Sequence, residues 1–288
     1  MNVEQVLFNS LVEGSIIALL AIGITLVFGI ARFANAAQGD LATLGAYVGL
    51  LANTKLALPV LPAVAVAALA VAAAGVLANR LIFSHLTRRP GISSLIASIG
   101  LAILLRHVII LFAGTGQYTY GQPLLRATKL GDLRIFPGDL TLLGVTLVVI
   151  VLVHLLLNRT QLGREMRAVA DNTELARVAG INSGRVITAL WAVSGALAGI
   201  AGVLIGSKSI VNPLMGWDLL LPAFAAAILG GLGNPYGALA GAILIGLSQE
   251  VAAQFIPNTY KMAVSFIVIV VVLLLRPNGI FGSRSVVK

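Results

Sequence analysis

Apolar stretches long enough to cross a lipid bilayer recur along almost the whole chain, and this pattern restricts the possible folds more than any other feature. Residues 186–205 are one example and residues 147–157 form the centre of another, and neither contains an Asp, Glu, Lys or Arg. Overall, 59% of the residues are hydrophobic and 10% are charged, whereas soluble domains have about half and about a quarter. Inside a bilayer, a helix satisfies its backbone polar groups within its own segment. The sequence therefore predicts an all-α polytopic membrane protein.

Nine apolar segments are predicted to cross the membrane as helices. About 20 residues span the hydrocarbon core, so a chain of 288 residues has room for on the order of eight to ten crossings. The second, seventh and eighth segments are short, and no room remains for a soluble domain beside the single transmembrane domain 1–288. The predicted spans are 6–30, 41–53, 59–83, 92–113, 140–158, 186–206, 218–232, 237–254 and 262–275.

The basic residues predict how the chain is oriented. Loops rich in Lys and Arg stay on the cytoplasmic side of a membrane. Residues 85–89, 159–185 and 276–288 carry such clusters, so we expect all three regions, including the C-terminus, on the cytoplasmic side. Nine crossings then place the N-terminus outside and make 114–139 the largest external loop.

Several kinds of site are missing from the sequence. Cysteine is absent, which excludes disulfides and thiolate metal sites. There is no G-x-x-x-x-G-K-[ST] phosphate loop, no H-E-x-x-H metal motif and no G-x-S-x-G nucleophile turn. The net charge of +9 is spread over short loops and forms no basic face with interleaved aromatic residues, which argues against nucleic acid as a partner. We therefore expect a chain that is not an enzyme, binds no cofactor or metal, and does not hydrolyse ATP by itself.

Residues 159–185 form a polar island that contains five of the nineteen basic and three of the ten acidic residues. The pattern predicts two short helices, 162–170 and 173–179. Asp171 or Asn172 would cap the second helix, and Gly180 would end it. Apolar residues among these charges favour docking to a soluble partner protein. The alternative is a cytoplasmic loop that packs against its own helix bundle.

Two segments, 35–49 and 234–246, share a pattern in which Asn precedes Gly and small residues follow at helical intervals. At membrane depth, backbone groups freed by such interruptions are tolerated only where they face protein or a watery cavity. Matched interruptions in two halves indicate a translocation path, so we predict two loosely related halves. Close packing of helices on small residues is the alternative explanation. The predicted path residues are Asn35, Gln38, Gly39, Gly45, Gly230, Gly231, Gly233 and Asn234.

Ionisable residues within the predicted spans are few. Glu13, Glu250 and Arg80 lie near span ends, where long side chains reach the interface. Arg106 and His107 lie deeper, and a partner carboxylate would make them structural anchors. No central Asp or Glu is expected for a proton relay. The energy for transport must then come from outside this chain.

Four motifs occur in the same order as in a known protein family. Residues 35–47 match N-x-A-[HQ]-G-[DE] followed by L-G-A-Y, and residues 170–182 (ADNTELARVAGIN) match A-D-N…A…G-I-N. Residues 212–216 with 223–241 resemble a G-G-[LI]-G region, and residues 276–282 (RPNGIFG) resemble R-P-x-G-[LI]-F-G. On these residues the chain resembles, over almost its whole length, the membrane permeases of bacterial ABC importers for branched-chain amino acids, particularly the shorter H-type subunit.

The resemblance implies an all-helical half of a pore in the bacterial cytoplasmic membrane. Its implied partners are a related M-type permease or a second copy of itself, two cytoplasmic ABC ATPases that hydrolyse ATP, and a periplasmic substrate-binding protein. It also implies that the polar island 159–185 is the coupling loop that meets an ATPase. The implied coupling residues are Arg164, Glu165, Arg167, Ala170, Asp171, Glu174, Ala176 and Gly180.

The substrate remains open at this point. Branched-chain amino acids, other amino acids, amides and urea are all compatible with a path that is largely neutral. A stand-alone channel or secondary carrier for a small neutral solute is the alternative to an importer subunit. Solute flux without nucleotide would distinguish that alternative.

Overall fold

The computed structural model describes residues 3–86, 89–121, 128–130, 133–257, 260–276 and 279–281. This part of the chain contains twelve α-helices, a π-helical turn at Asn79–Phe83 between α3 and α4, and one antiparallel hairpin of β1 (Thr128–Leu130) with β2 (Leu133–Ile135). The helices are α1 Val3–Ala31, α2 Gln38–Lys55, α3 Val60–Ala78, α4 Ser84–Leu86, α5 Gly91–Ala113, α6 Pro137–Arg159, α7 Gln161–Asp171, α8 Thr173–Val178, α9 Ser183–Lys208, α10 Met215–Gly230, α11 Pro235–Ala252 and α12 Lys261–Leu275.

Five helical segments of the described chain are long and apolar enough to cross a membrane. They are α1, the continuous segment Val60–Leu86, α5, α6 and α9. The other apolar helices are shorter or more polar, and α10 and α12 have only 16 and 15 residues. A helix lies at each of the nine predicted segments. The all-α, multi-pass architecture is therefore confirmed, while the count of nine crossings remains a prediction.

Helices α1 and α9 form the centre of the bundle. Both are mostly buried, whereas α3, α5 and α6 direct most of their side chains outward. Helix α1 packs mainly against α11, and α9 packs mainly against α3 and α2. Apolar side chains such as Leu69, Leu111 and Leu152 are exposed on the outer helices. Such side chains are compatible with lipid around the bundle.

The same pattern of contacts between helices occurs in two parts of the chain. Helix α2 packs against α3 and α9, and α10 packs against α11 and α1. The contact of α1 with α11 has its counterpart in the contact of α9 with α3. Exchanging α1, α2 and α3 with α9, α10 and α11 therefore reproduces the main contacts of the bundle.

The described parts of the three basic regions that were predicted to share one side lie at the same end of the bundle, which we call the hairpin end because it carries α7 and α8. A Cβ on Gly91, just after 85–89, would lie 3.1 Å from the Arg32 carbonyl oxygen. Arg32, which follows α1, donates from Nη2 to the Ala170 carbonyl at 2.6 Å. The backbone N–H of Ile280 donates to the Leu229 carbonyl at 2.7 Å, near the end of α10. The placement of this end in the cytoplasm remains a prediction.

The opposite end of the bundle is closed in part by the segment that follows α5. Tyr118 and Val211 exchange two backbone hydrogen bonds, of 2.9 and 2.8 Å. Burial raises the pKa of the Tyr120 phenol, and its hydroxyl donates to the Ala46 carbonyl at 2.7 Å. These contacts hold the segment against α2 and α9.

Glycines allow α2, α9 and α3 to approach each other closely. A Cβ atom on Gly45 would lie 2.5 Å from the Cα of Gly199, and a Cβ on Gly199 would lie 2.6 Å from the Ala67 carbonyl oxygen. A Cβ on Gly202 would overlap the Ala42 carbonyl oxygen. Close packing on small residues, considered above as the alternative for the glycine clusters, is thus observed at Gly45.

Replacing Gly202 with alanine is expected to destabilise the bundle by about 1–3 kcal/mol, because the added methyl group must push α2 away from α9. Thermal unfolding of the purified chain in detergent measures the effect. Gly100→Ala is the matched control, because a Cβ there meets no atom within 4 Å, and alanine favours a helix by about 0.5–1 kcal/mol over glycine. Equal effects of the two substitutions would contradict close packing at Gly202.

Candidate functional site

The polar island folds into two capped helices. The Thr160 hydroxyl accepts from the Gly163 N–H at 3.1 Å and caps α7, and the Asn172 side-chain oxygen accepts from the Leu175 N–H at 2.9 Å and caps α8. Gly180 has a φ of +84°, a conformation that favours glycine. The two short helices, the cap at the 171–172 junction and the glycine stop are therefore confirmed.

One face of this helix pair packs against its own bundle. Met166 and Val169 are each 2% exposed, and a Cβ on Gly163 would overlap carbonyl oxygens at the end of α6. The Arg167 guanidinium also donates to the Leu157 carbonyl. The alternative interpretation, a loop that covers its own helix ends, therefore describes α7 correctly.

Helix α8 differs because it presents apolar side chains to the outside. Leu175 is 66% exposed and Val178 is 86% exposed. The exposed charged residues Arg164, Asp171 and Glu174 lie on the same two helices, α7 and α8. An exposed apolar pair within a charged rim is typical of a docking surface.

The predicted coupling residues occupy different positions on the hairpin. The predicted set omits Leu175 and Val178, which are the most exposed apolar side chains of α8. Their i, i+3 spacing on a capped helix is the sequence signal that could have identified them as part of one face. Among the predicted residues, Ala176 is buried, Glu165 and Ala170 are half-buried, and the others are exposed, namely Arg164, Arg167, Asp171, Glu174 and Gly180.

The segment between α1 and α2 turns into the interior of the bundle. Asn35 and Gln38 are fully buried. The Gln38 amide donates to the Ser194 carbonyl at 3.1 Å, and the Ser194 hydroxyl lies within hydrogen-bonding distance of Gln38 Oε1 (3.0 Å) and of the Gly23 carbonyl oxygen (3.2 Å). Gly23 lies eight residues before the end of α1, roughly 12 Å along its axis. Helix α2 therefore begins well inside the bundle.

A buried ion pair follows directly after this turn. The Arg106 guanidinium donates from Nε and Nη2 to the two Asp40 carboxylate oxygens, at 3.0 and 3.1 Å. The Asp40 side chain is 0% exposed and the Arg106 side chain is 17% exposed. The interpretation of Arg106 as an anchor paired with a carboxylate is confirmed, but the expectation that no central Asp or Glu exists was wrong. The predicted span 41–53 excluded Asp40, whereas α2 actually starts at Gln38.

The start of α10 meets the start of α2 beside this ion pair. The Gly216 N–H donates to the Thr43 hydroxyl at 3.1 Å, and neither Gly39 nor Gly216 has room for a Cβ because each faces the carbonyl oxygen of the other. The Arg106 guanidinium carbon lies 5.2 Å from the centre of the Trp217 ring. Arg106 therefore links α5 to both α2 and α10.

Asp40, Trp217 and Asp218 are candidate functional residues that were not predicted as site residues. Asp218 is exposed and interacts electrostatically with Arg106. A signal existed for Asp40, because it occupies the [DE] position of the motif at 35–47. No comparable local signal marks Trp217 or Asp218.

The predicted path residues fall into two groups that the structure does not bring together. Asn35, Gln38, Gly39 and Gly45 lie in the interior around the start of α2. Asn234 caps α11 by accepting from the Tyr236 and Gly237 N–H groups, both at 3.1 Å. It belongs to the turn between α10 and α11 at the hairpin end, where a Cβ on Gly29 would lie 3.4 Å from Gly233. The other members of this second group are Gly230 and Gly231, and the role of both groups remains a prediction.

A cavity of about 820 Å³ opens among α1, α9, α10, α11 and α12. Its wall combines apolar side chains with the carboxylates of Glu13 and Asp218 and the ammonium group of Lys261. Lys261 forms an ion pair with Glu250. The cavity therefore combines a largely apolar wall with a few charged groups next to the start of α10.

Together, these features define a multi-pass membrane protein with helix starts in its interior and an amphipathic hairpin at one end, a class that includes membrane permeases. Residues 6–273 match the family model described as "Branched-chain amino acid transport system / permease component". The chain belongs to this family.

Relatives align with the chain over nearly its full length. It is 32% identical over 303 residues to the high-affinity branched-chain amino acid transport system permease protein BraD of Pseudomonas aeruginosa, covering 99% of this chain and 97% of BraD. It is 30% identical over 298 residues to LivH of Escherichia coli, a permease of the same description, with the same coverage of 99% and 97%. The ribose import permease protein RbsC of Escherichia coli is 29% identical over 283 residues, which cover 93% of this chain and 84% of RbsC.

Proposed function

We propose that this chain is the transmembrane permease subunit of an ABC importer and forms half of a translocation path for branched-chain or related neutral amino acids. The observation that carries the proposal is the similarity over 99% of the chain to BraD and LivH, whose descriptions name branched-chain amino acid transport. The similarity to a ribose permease shows that related chains serve other solutes. Features of this chain's own interior must therefore support the choice of substrate.

The α7–α8 hairpin is proposed as the coupling loop that docks on a cytoplasmic ATPase. Its inner face is packed on the bundle through Met166 and Val169, so a push on the hairpin is transmitted to α1 and α6. Its outer face offers Leu175 and Val178 within a charged rim. ATP-driven closure of the ATPase dimer would move the hairpin and rock the helices in an alternating-access cycle. The different affinities of nucleotide for the open and closed ATPase dimers supply the free energy for this movement.

The partner set follows from the proposed importer. A second permease, either a related M-type subunit or another copy of this chain, completes the path, and two ABC ATPases bind at the hairpin end. A periplasmic binding protein delivers the substrate at the opposite end. This arrangement places the hairpin end and the C-terminus in the cytoplasm of a bacterial inner membrane.

Two related halves of opposite orientation are proposed as the frame of the path. The exchange of α1, α2 and α3 with α9, α10 and α11 supports this division. The Asn35 side chain accepts from the Ala37 N–H at 3.1 Å before α2, and the Asn212 side chain accepts from the Leu214 N–H at 2.9 Å before α10. These matched turns relate the region of Asn35 to that of Asn212. The sequence pattern instead matches the Asn35 region with the Asn234 region.

Reconstitution tests the proposed function directly. In proteoliposomes, the chain together with its ATPase, permease and binding-protein partners is expected to take up L-leucine only when ATP is supplied. The chain alone is expected to give no more flux than empty liposomes, because the importer model assigns the energy to the ATPases. The same vesicles with ADP in place of ATP are the control. Leucine or urea flux through the chain alone, without nucleotide, would favour the stand-alone channel or carrier.

A further inference from the structure

We infer that Arg106, Trp217 and Asp218 form a binding site for the charged head group of a zwitterionic amino acid. In this site Arg106 binds the carboxylate, Asp218 binds the ammonium group, and the Trp217 ring covers the adjacent apolar carbon atoms. The inference rests on the proposed transport function and assigns its substrate contact to named side chains.

The depth of these residues is the first argument. Arg106 lies seven residues before Ala113, the last residue of α5, or roughly 10 Å from the nearer end along the helix axis. Trp217 and Asp218 lie in the first turn of α10, next to the contact of Gly216 with Gly39 inside the bundle. Charged side chains at such depth are costly in lipid, and they mark water-filled cavities or substrate pathways. Asp218 fits this rule because it lines the cavity of about 820 Å³.

The second argument is the unused hydrogen-bonding capacity of the cluster. Asp40 engages Nε and Nη2 of Arg106, which fixes the guanidinium plane and leaves the Nη1 group available. Among the residues that the structure describes, no donor or acceptor is hydrogen-bonded to the Asp218 side chain. Asp40 therefore acts as a positioning residue, while Arg106 and Asp218 keep groups free for a ligand.

The third argument is the match between the cluster and the ligand. An α-amino acid carries one anion and one cation, separated by a single carbon atom. The cluster offers a guanidinium and a carboxylate that interact electrostatically with each other. The Trp217 ring, 43% exposed, adds an apolar surface beside both. Urea, amides and sugars carry no charges that would use this pair, so the site favours a zwitterion among the open substrate classes.

Tryptophan fluorescence provides the test. The chain has two tryptophans, so Trp191→Phe leaves Trp217 as the reporter in the full chain in lipid nanodiscs. L-leucine is expected to give a saturable change. The 2-hydroxy analogue, which lacks the ammonium group, and 3-methylbutylamine, which lacks the carboxylate, are each expected to bind at least about tenfold more weakly, as for the loss of one good polar contact.

Asp218→Asn then assigns the ammonium contact. This variant is expected to remove the preference for leucine over the hydroxy analogue while it keeps the preference over the amine. Asp139→Asn is the matched control, because Asp139 pairs with Lys208 and not with a residue of the cluster, and it should change neither preference. The site would be overturned by a response to leucine that does not saturate in the Trp191→Phe chain. It would also be overturned if Asp218→Asn kept the preference for leucine over the hydroxy analogue.

Uptake by the reconstituted importer separates this inference from the proposed function. In the chain with native Trp191, Asp218→Asn is expected to raise the KM for L-leucine about tenfold while ATPase co-purification stays unchanged, as for the loss of one polar contact. An unchanged KM would overturn the site but leave the importer function in place. If the parent importer shows no ATP-dependent leucine uptake, the proposed function itself fails.

Discussion

Replacing Asp40 with alanine is expected to destabilise the folded chain by roughly 3–5 kcal/mol, because it leaves the Arg106 guanidinium without its hydrogen-bonded counter-ion inside the bundle. The bidentate contact of 3.0 and 3.1 Å and the complete burial of Asp40 make this the largest single effect that the structure predicts. Titration with sodium dodecyl sulfate, followed by circular dichroism of the purified chain, measures the loss.

A double substitution distinguishes the loss of the pair from a local packing defect. Asp40→Leu combined with Arg106→Met is expected to recover most of the stability, since a buried ion pair is often replaced by apolar residues at little cost. Asp139→Ala is the control, because Asp139 pairs with Lys208, whose side chain is 39% exposed. It should cost about 0–1 kcal/mol. Additive effects of the two substitutions would contradict the coupling of Asp40 to Arg106.

Replacing Val178 with aspartate is expected to reduce ATP-driven uptake at least about tenfold, which corresponds to about 1.4 kcal/mol of lost docking free energy. The new carboxylate would be buried without a partner where the proposed ATPase covers α8, and burying an unpaired charge is costly. The fold should be unaffected, because Val178 is 86% exposed in the isolated chain. Co-purification of the ATPase and uptake of L-leucine measure the two consequences.

The control for this prediction keeps the shape of the side chain. Val178→Thr has nearly the same volume and no charge, so it should retain most of the ATPase association and uptake. Loss of activity in both variants would indicate that the position is sensitive for another reason. Full association of the ATPase with Val178→Asp would show that α8 is not the docking surface.

Much of the architecture could be predicted because its signals are local. The helix at each apolar segment follows from side chains within the same segment, and the hairpin follows from Asn172 and Gly180 next to α8. The buried centre could not be predicted in this way. Arg106 meets Asp40 across 66 residues of sequence. A polar residue at the edge of an apolar segment gives the same sequence pattern whether its side chain lies in solvent or inside a bundle.

The candidate site shows the same division. The pattern of charged and apolar residues marked the hairpin 159–185, but burial separates the inward-facing Ala176 from the outward-facing Val178. The glycine clusters indicated that helices pack closely, but the sequence did not identify which helices are in contact. Only the packed bundle shows that Gly39 meets Gly216, whereas Gly230 meets Gly237.

The sequence by itself determined the membrane class, the positions of the helices and the capped hairpin, because hydropathy and capping act between residues within a few turns of each other. The tertiary structure alone decided how deep α2 and α10 begin, which carboxylate neutralises Arg106, and which side chains are left to meet a ligand or partner. Those outcomes depend on where distant segments come together, and the free energy of burying a charge is set by that meeting rather than by the neighbours along the chain.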